Sequence, residues 1–433
     1  MKLQNISIAK NASLSYINTN KFKTEALGLS LSIPLTPRDY LLNMLLSGLM
    51  RRGTERLPSH AAVNRALDML YAAVVEISSN TCASTLSLNV GADFLADRHV
   101  PDGTDVFGGV IGIIGELLTA PKKTDGLFDA DTLKSEITIV RDALLAERNN
   151  TRAYAAMRCK ELLHRENANY PTLEYLLENI DTVSVEELSA YHEKLLKNAE
   201  LSVFYVGAKD GEAVAKTLGE AFGAKLTCAD VKCVPDVITD SREYIYAEEQ
   251  MDVSQAKLSM GFVTGTGYNR ADRHAAIMLN EILGASPSSK LFINVREKQS
   301  LCYYCSSSYS AVSGNIMVSC GFDESNKDKV ISEILAQLDA IRNGDISEAE
   351  LACARNSLGY SYAQIYDSPF SLQAFYATRS CFGVTETVEE CRDALMSVTR
   401  EDIIKLAGKI RYDSCFFVSG NGRECGQEVE DYE

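Results

Sequence analysis

The stretch LGLSLSIPLTPRDYLLNMLLSGLM (residues 27–50) decides the fold, because its pattern returns later in the chain. Residues 256–284, AKLSMGFVTGTGYNRADRHAAIMLNEILG, follow the same order of an alternating strand, a turn and a helix. Arg38-Asp39 of the first stretch falls where Ala271-Asp272 falls in the second. A long pattern that recurs within one chain indicates an internal duplication.

The ends of the two copies match as well. Residues 183–207, VSVEELSAYHEKLLKNAELSVFYVG, parallel residues 398–420, VTREDIIKLAGKIRYDSCFFVSG. In each copy a capping residue, Ser184 or Thr399, is followed by acidic residues that favour the start of a helix, and an apolar strand then ends at glycine. The sequence therefore predicts two copies of one α/β unit.

Each half also carries strands of antiparallel character followed by long helices. The predicted strands are 84–90 and 315–322, and the predicted helical stretches are 106–119, 130–165, 327–342 and 347–366. Periodicity weakens over about 212–243, where Pro, Asp and Lys gather. We predict a first domain at 1–220, a linker at 221–243 and a second domain at 244–433, with an acidic frayed tail at 424–433.

The composition narrows the class of protein. A chain of 433 residues is expected to form two domains. The net charge of −16 argues against a nucleic-acid surface or an anionic-membrane anchor, since both need clustered Lys and Arg. The polar first residues lack a signal-peptide core, and the longest apolar stretch, 106–114, is too short to span a membrane. We expect a cytoplasmic protein.

The 12 cysteines are expected to be mostly reduced core residues. Cys302 and Cys305 form a C-x-x-C, and a structural zinc site would need a second pair. Cys228 and Cys233 have the wrong spacing and lie in the predicted linker. The favoured interpretation is two thiols along a strand.

Histidine spacing excludes the common catalytic zinc motifs. The five histidines lie too far apart for H-x-x-E-H, H-E-x-x-H or H-x-H, and G-x-S-x-G and the phosphate-loop motif are also absent. We interpret the histidines as surface or capping residues, with His60 in a loop and His192 in a charged helix. Glycines 109, 112 and 115 sit in an apolar helical stretch, which favours close helix packing over a phosphate loop.

The stretch LFINVREKQSLCYYCSSSYSAVSG (291–314) offers a candidate binding pair. A helix-like segment ends near Arg296, and a polar turn leads to the aromatic strand that begins at Tyr303. Both side chains can hold a peptide carbonyl or carboxylate without transferring protons. Equally, Arg296 could pair with a local Glu while Tyr303 packs in the core, and spacing alone does not separate these interpretations.

Residues 288–310, SSKLFINVREKQSLCYYCSSSYS, strongly resemble the second-domain signature of the pitrilysin/insulinase (M16) metallopeptidases. The resemblance extends over nearly the whole chain, since the duplication and the linker also fit that family. It implies an α+β fold (an α/β sandwich) of two homologous domains, each a mainly antiparallel sheet packed with helices, arranged as a clam shell. It also implies a substrate-backbone-binding role for Arg296 and Tyr303.

The zinc helix of that family reads roughly H-F-L-E-H-M-L-F-K-G-T, and it falls on MLLSGLMRRGT (44–54). Met44 and Gly48 stand at the two His positions, and Ser47 stands at the general-base Glu position. None of the three can bind zinc or activate water. The third ligand maps loosely to Ala143, with Glu136 and Glu147 nearby, and no peptide-docking strand of the family type is evident in VVEISSNTCAS (74–84).

The resemblance therefore implies a member of a metalloendopeptidase family that is catalytically inactive alone and holds no catalytic zinc. MLLSGLMRRGT and SLCYYCSS are similar to the non-peptidase homologues of Gram-positive bacteria, a subgroup associated with the 5-aminopentanol modification of elongation factor P. The first hypothesis is a partner or scaffold of a zinc-bearing M16 paralogue, with self-association as another possibility. The alternatives are a stand-alone peptide-binding module and a zinc-dependent peptidase with residual activity.

Overall fold

The computed structural model describes residues 3–9, 12–222, 229–231, 234, 237–239 and 242–420. The chain divides into two compact units. Unit 1 comprises 1–144, 169–234 and 363–388, and unit 2 comprises 145–168, 235–362 and 389–433. Cys228, Cys233 and the predicted acidic tail at 424–433 lie outside the described residues.

The strands form two sheets. They are β1 (Gln4–Ala9), β2 (Ala12–Asn18), β3 (Thr24–Pro34), β4 (Val74–Cys82), β5 (Thr85–Leu95), β6 (Glu200–Gly207), β7 (Ile245–Gln250), β8 (Ala256–Val263), β9 (Tyr304–Ser310), β10 (Asn315–Phe322) and β11 (Arg411–Ser419). The first six strands belong to unit 1 and the last five to unit 2.

Helices pack against both sheets. They are α1 (Pro37–Met50), α2 (His60–Asp68), α3 (Val106–Thr119), α4 (Ala130–Ala146), α5 (Thr151–Leu163), α6 (Leu173–Asn179), α7 (Val185–Asn198), α8 (Gly211–Phe222), α9 (Arg273–Asn280), α10 (Lys327–Arg342), α11 (Glu348–Gln364), α12 (Pro369–Ser380), α13 (Val388–Ser397) and α14 (Arg400–Ala407). Two π-helical segments, Glu281–Ala285 and Leu291–Lys298, come after α9.

The two sheets repeat one topology. The strand order is β1-β2-β6-β3-β5-β4 in unit 1 and β7-β11-β8-β10-β9 in unit 2. The pairs β2/β6 and β7/β11 are parallel, and the other neighbouring pairs in each sheet are antiparallel. Except for the additional β1, each strand of unit 1 has a counterpart in unit 2. The predicted duplication and α+β class are confirmed.

One ion pair is present in both copies. In unit 1, Lys194 of α7 contacts Asp39 of α1 with 2.8 Å between Nζ and Oδ1. In unit 2, Lys409 contacts Asp272 with 2.8 Å between Nζ and Oδ2. Asp39 and Asp272 are the residues that the sequence comparison places opposite each other, so the duplication extends to a side-chain contact that ties the start of a helix to its neighbour.

The predicted helical stretches match the observed helices, with one exception. The prediction of a single helical stretch over 130–165 is wrong at its centre, because α4 ends at Ala146 and α5 begins at Thr151. The Asn150 side chain accepts a hydrogen bond from the Ala153 amide, which caps the start of α5. The sequence Asn149-Asn150 was a signal for this break.

The break between α4 and α5 lies close to the point where the chain passes from unit 1 to unit 2. The predicted first domain, 1–220, includes α5, but in the structure α5 packs on β8 and β11 of unit 2. Conversely, α12 belongs to the predicted second domain, 244–433, but packs on β3 and β6 of unit 1. Each sheet is therefore covered by a helix from the other half of the chain.

Glycine makes room for these two helices at equivalent strand positions. A Cβ atom placed on Gly28 of β3 would lie 2.0 Å from Nε2 of Gln373 on α12. A Cβ atom on Gly261 of β8 would lie 2.9 Å from Cδ1 of Leu163 on α5. The sequence alignment of the two copies pairs Gly28 with Gly261, so both copies use a small residue beneath the covering helix.

The apolar stretch at 106–114 forms part of α3, in which Gly115 packs closely against Ala221 of α8. Gly109 likewise lies against Leu70, so close packing holds for these two glycines, but Gly112 has nothing within 4 Å of its ideal Cβ position. Within the described part of the chain, no helix combines the length and the apolar character that a membrane span requires.

Candidate functional site

Residues 44–50 of the stretch that resembles the family's zinc helix lie in α1. Thr36 accepts a hydrogen bond from the Asp39 amide and Pro37 takes the first position of the helix, so the local sequence begins the helix there. Met44 is half-buried, while Ser47 and Gly48 are buried. The Ser47 hydroxyl donates a hydrogen bond of 2.7 Å to the Met44 carbonyl, so it is engaged within the helix itself.

Glu136 of α4 fills the space beside Gly48. A Cβ atom built on Gly48 would lie 1.8 Å from Oε1 of Glu136, so no side chain fits there unless the carboxylate moves. The Glu136 residue is only 4% exposed. Its Oε2 lies 2.8 Å from Nη2 of Arg52, which supplies the positive charge that a buried carboxylate requires.

The sequence comparison places Ala143 at the third ligand position with Glu136 and Glu147 nearby, and this placement stays a prediction. Glu136 is the one that reaches α1, whereas Ala143 and Glu147 are exposed. Gly48, Glu136 and Arg52 therefore form one contact group, in which the carboxylate is buried and the Arg52 side chain is 41% exposed. The assignment of Met44, Ser47 and Gly48 to the former zinc positions stays a prediction.

Arg296 lies in the π-helical segment Leu291–Lys298 of unit 2. Its guanidinium carbon is 4.6 Å from the centre of the Phe292 ring, and its Nε is 3.7 Å from Oε1 of Glu297. The side chain keeps 39% of its surface exposed. A local Glu is therefore near, as one interpretation expected, but this exposed pair leaves guanidinium hydrogen-bond donors accessible.

Tyr303 comes after a turn at Ser300, whose φ of 51° is in the left-handed region. The Tyr303 amide donates to the Gly321 carbonyl at 2.8 Å, which fixes the backbone against β10. The phenol donates to Oδ1 of Asp323 at 2.9 Å, and 49% of the residue is exposed. Tyr303 is therefore a surface residue and does not pack in the core. The roles of Arg296 and Tyr303 in binding stay predictions.

A cysteine group that sequence reasoning missed lies beside this segment. Cys302, Cys305 and Cys320 are buried, and their Sγ atoms all lie within 4.8 Å of one another. Hydrogen bonds from the Cys305 and Cys320 thiols, together with the charge of Arg296, lower the pKa of Cys302. The favoured interpretation of two thiols along a strand is incomplete, because Cys302 precedes β9 and Cys320 of the next strand, β10, lies opposite Cys305.

The surface interpretation of His192 is wrong. The residue is 4% exposed, and burial lowers its pKa from 6.5 to about 4. Its Nε2 lies 2.7 Å from the Leu118 carbonyl and its Nδ1 lies 3.1 Å from Nζ of Lys123. Because the carbonyl only accepts and the ammonium only donates, the ring is neutral with its proton on Nε2. His192 is a structural residue of unit 1.

Comparisons with known proteins find one matching family model and two similar sequences. Residues 182–358 match the family described as Peptidase M16 inactive domain. The chain is 25% identical over 412 residues to the probable inactive metalloprotease YmfF of Bacillus subtilis, covering 93% of this chain and 95% of that protein. It is 24% identical over 241 residues to an uncharacterized zinc protease of Streptomyces coelicolor, covering 53% of this chain and 52% of that protein.

Solved structures show the same fold. A conserved protein from Enterococcus faecalis V583 superposes with a TM-score of 0.89 at 23% identity, covering 97% of this chain and 99% of that one. A peptidase M16 inactive domain from Pseudomonas fluorescens superposes with a TM-score of 0.78 at 14% identity, covering 98% and 100%. The chain is therefore similar over nearly its whole length to a probable inactive metalloprotease and to M16-type structures, and its own sequence lacks the H-x-x-E-H motif.

Proposed function

We propose that this chain is a non-catalytic subunit that pairs with a zinc-bearing M16 paralogue and supplies Arg296 and Tyr303 to it. One observation carries the proposal: the buried Glu136 carboxylate fills the space beside Gly48, while Arg296 and Tyr303 are both partly exposed. A protein that had lost every role in peptide handling would have no need of a partly exposed Arg296 and Tyr303.

The chemistry of these two side chains suits binding. A guanidinium presents several donors in a fixed fork, and a phenol can donate or accept one hydrogen bond. Both can hold a backbone carbonyl or a terminal carboxylate of a peptide. The partner would supply the zinc and the general base, so the bond cleavage would occur on the partner and the orientation of the peptide would come from this chain.

Co-expression with a zinc-bearing paralogue tests the pairing. The two chains should elute together in size-exclusion chromatography, since a specific heterodimer buries more than about 1,000 Å². The Arg296→Ala variant should form the same complex but lower the kcat/KM of the paralogue by about tenfold or more, the loss expected when one charged hydrogen bond to a substrate is removed.

Arg392 offers a matched control for that variant. Its side chain is 45% exposed and pairs with a neighbouring acid, Asp393, much as Arg296 pairs with Glu297. The Arg392→Ala variant should leave the activity of the complex unchanged. The proposal fails if no complex forms, or if Arg296→Ala and Arg392→Ala behave alike. Self-association of this chain in place of the heterodimer would also count against it.

A stand-alone peptide-binding module is the second candidate, and the position of β4 favours it. β4 (Val74–Cys82) is the last strand of the first sheet and pairs with β5 along one side. An edge strand can bind an extended peptide through its backbone groups. Saturable binding of unfolded peptides by the isolated chain would support this function, and a flat titration would contradict it.

A more specific form of the first proposal links this chain to the modification of elongation factor P. It rests on the resemblance of MLLSGLMRRGT and SLCYYCSS to the Gram-positive subgroup. The mass of elongation factor P purified from a strain without this chain tests the link. Loss of the 5-aminopentanol mass, restored by the wild-type chain, would support it, and an unchanged mass would exclude it.

A further inference from the structure

Three cysteines of unit 2 meet at the start of β9, and we call Cys302, Cys305 and Cys320 the thiol cluster. Cys305 of β9 and Cys320 of β10 stand directly opposite each other in the antiparallel register. Cys302 precedes β9, and the turn before it directs the chain back toward β10, where the Tyr303 amide bonds to the Gly321 carbonyl. The three Sγ atoms lie within 4.8 Å of one another.

This spacing is close to that of a metal site. A tetrahedral zinc ion with Zn–S bonds of about 2.3 Å holds its sulfur ligands about 3.8 Å apart. Small side-chain rotations would bring the three sulfur atoms from their present separation to that distance. All three residues are buried, Cys302 with 9% of its surface exposed and Cys320 with none, so the group is shielded from solvent.

We propose that the thiol cluster binds one thiophilic d10 ion, with Zn²⁺ as the ion to test, through three thiolates. On binding, each thiol transfers its proton to solvent and its sulfur forms one bond to the ion. No electron is transferred. The protein then supplies three ligands, and a water or another external donor takes the fourth position.

The surrounding charges favour such a complex. Three thiolates and one Zn²⁺ carry a net single negative charge, which needs a compensating cation when buried. The positive charge of Arg296 acts on Cys302, and Lys257 of β8 is close enough to Cys320 for their charges to interact. Both cations therefore lie in positions that stabilise an anionic site.

The proposed site is independent of the pairing function, but it bears on Tyr303. Tyr303 lies between Cys302 and Cys305 in the chain, so an ion bound to both thiolates would restrain the backbone on both sides of it. We expect slower hydrogen exchange at residues 300–305 in the metal-loaded protein, because opening of this segment would then require a metal bond to break.

The test uses the full chain, purified under reducing conditions and stripped with a chelator. Calorimetric titration with Zn²⁺ should show one equivalent bound, and Co²⁺ should give a thiolate-to-metal charge-transfer band. Each of Cys302→Ser, Cys305→Ser and Cys320→Ser should weaken Zn²⁺ binding by more than about tenfold, since even groups that only hydrogen-bond to ligands contribute 10- to 100-fold.

Two other cysteines serve as matched controls. Cys159 is fully buried and contacts Ser414, and Cys353 is exposed. Cys159→Ser and Cys353→Ser should leave the stoichiometry and affinity unchanged. Far-ultraviolet circular dichroism of every variant establishes whether it folds. If a cluster variant does not fold, the Zn²⁺ titration of the wild-type chain tests the proposal.

Three results would overturn the proposal. The first is a reduced wild-type chain that binds no Zn²⁺. The second is binding that survives in a folded triple variant with serine at all three positions. The third is a disulfide between Cys305 and Cys320, found by mass spectrometry in protein alkylated directly from cells, since that bond would remove two of the three ligands.

Discussion

The two units share a fold and one ion pair but differ in the segment beyond the first helix of each copy. In unit 1, Gly48 and Arg52 contact the buried carboxylate of Glu136, which leaves no room for a side chain at Gly48. In unit 2, the equivalent region continues through two π-helical segments to Arg296 and Tyr303, whose polar ends stay exposed. The shared contacts maintain the fold, so they persist in both copies. The regions that differ are those available for function.

The largest expected effect comes from placing a histidine at Gly48, beside Glu136. Gly48→His should destabilise the protein by about 3–5 kcal/mol, because the new side chain must displace the Glu136 carboxylate from Arg52 and leave a buried charge without its partner. Chemical denaturation measures the loss. Adding Glu136→Ala in the same chain should recover part of it by making room, and a fully stable Gly48→His variant would contradict the packing argument.

A glycine elsewhere provides the control for this result. Gly219 of α8 has nothing within 4 Å of its ideal Cβ position. Gly219→Ala should be neutral or stabilising by up to about 1 kcal/mol, as expected for alanine in an exposed helix. A loss of stability in Gly219→Ala comparable to that in Gly48→His would mean that glycine substitution in general, and not the Glu136 contact, is harmful.

The second prediction concerns His192, a buried histidine of unit 1 at a position where the aligned residue of unit 2 is alanine. The alignment of Ser184 with Thr399 places Ala407 opposite His192, so unit 2 lacks an equivalent titrating group. The His192 pKa of about 4 lies below its usual value of 6.5, so the unfolded chain binds the proton more readily. Its contribution to stability is complete above about pH 6.5 and is lost as the pH falls through about 4.

The predicted size is about 3 kcal/mol, because a shift of one pKa unit corresponds to about 1.4 kcal/mol. His192→Gln keeps a neutral polar group and removes the titration. Between pH 7 and pH 4, the free energy of unfolding of the wild type should therefore fall by about 3 kcal/mol more than that of His192→Gln. Parallel curves would show that His192 does not titrate differently in the folded and unfolded states.

The third prediction compares the two glycines beneath the covering helices. Gly261→Ala should cost about 1–3 kcal/mol, because its Cβ would meet Ser414 at 2.5 Å as well as the buried Leu163. Gly28→Ala should cost less than about 1 kcal/mol, since it meets the end of Gln373, a flexible and partly exposed side chain. Thermal unfolding of both variants measures the two losses. Equal losses, or a larger loss in Gly28→Ala than in Gly261→Ala, would disprove this distinction.

Sequence patterns predicted the repeated topology because alternating strands and capped helices are local signals. Asp39 and Asp272 could be aligned, and their equivalent ion pairs agree with that alignment. The exchange of α5 and α12 could not be predicted, since an amphipathic helix does not specify which sheet it covers. The Glu136 contact with Gly48 was missed because it joins residues distant in sequence. The approach of Cys320 to Cys302 and Cys305 was missed because it depends on the register of the β9/β10 hairpin.

The smallest expected effect on stability is at Tyr303. Tyr303→Phe should change the free energy of unfolding by no more than about 0.5 kcal/mol, because the lost hydrogen bond to Asp323 is exposed and water can replace it. Tyr205→Phe in unit 1 is the matched comparison, since its hydroxyl donates to Oε2 of Glu25 at 2.7 Å and both residues are buried.

Tyr205→Phe should cost about 1–3 kcal/mol, because a buried acceptor then loses its donor. If the Arg296 and Tyr303 element serves binding, Tyr303→Phe will weaken peptide handling by the paired complex while its melting temperature stays that of the wild type. A melting temperature that falls as far as in Tyr205→Phe would make Tyr303 a structural residue. The contrast between the buried Glu136 carboxylate of unit 1 and the partly exposed Arg296 and Tyr303 of unit 2 would then lose its functional meaning.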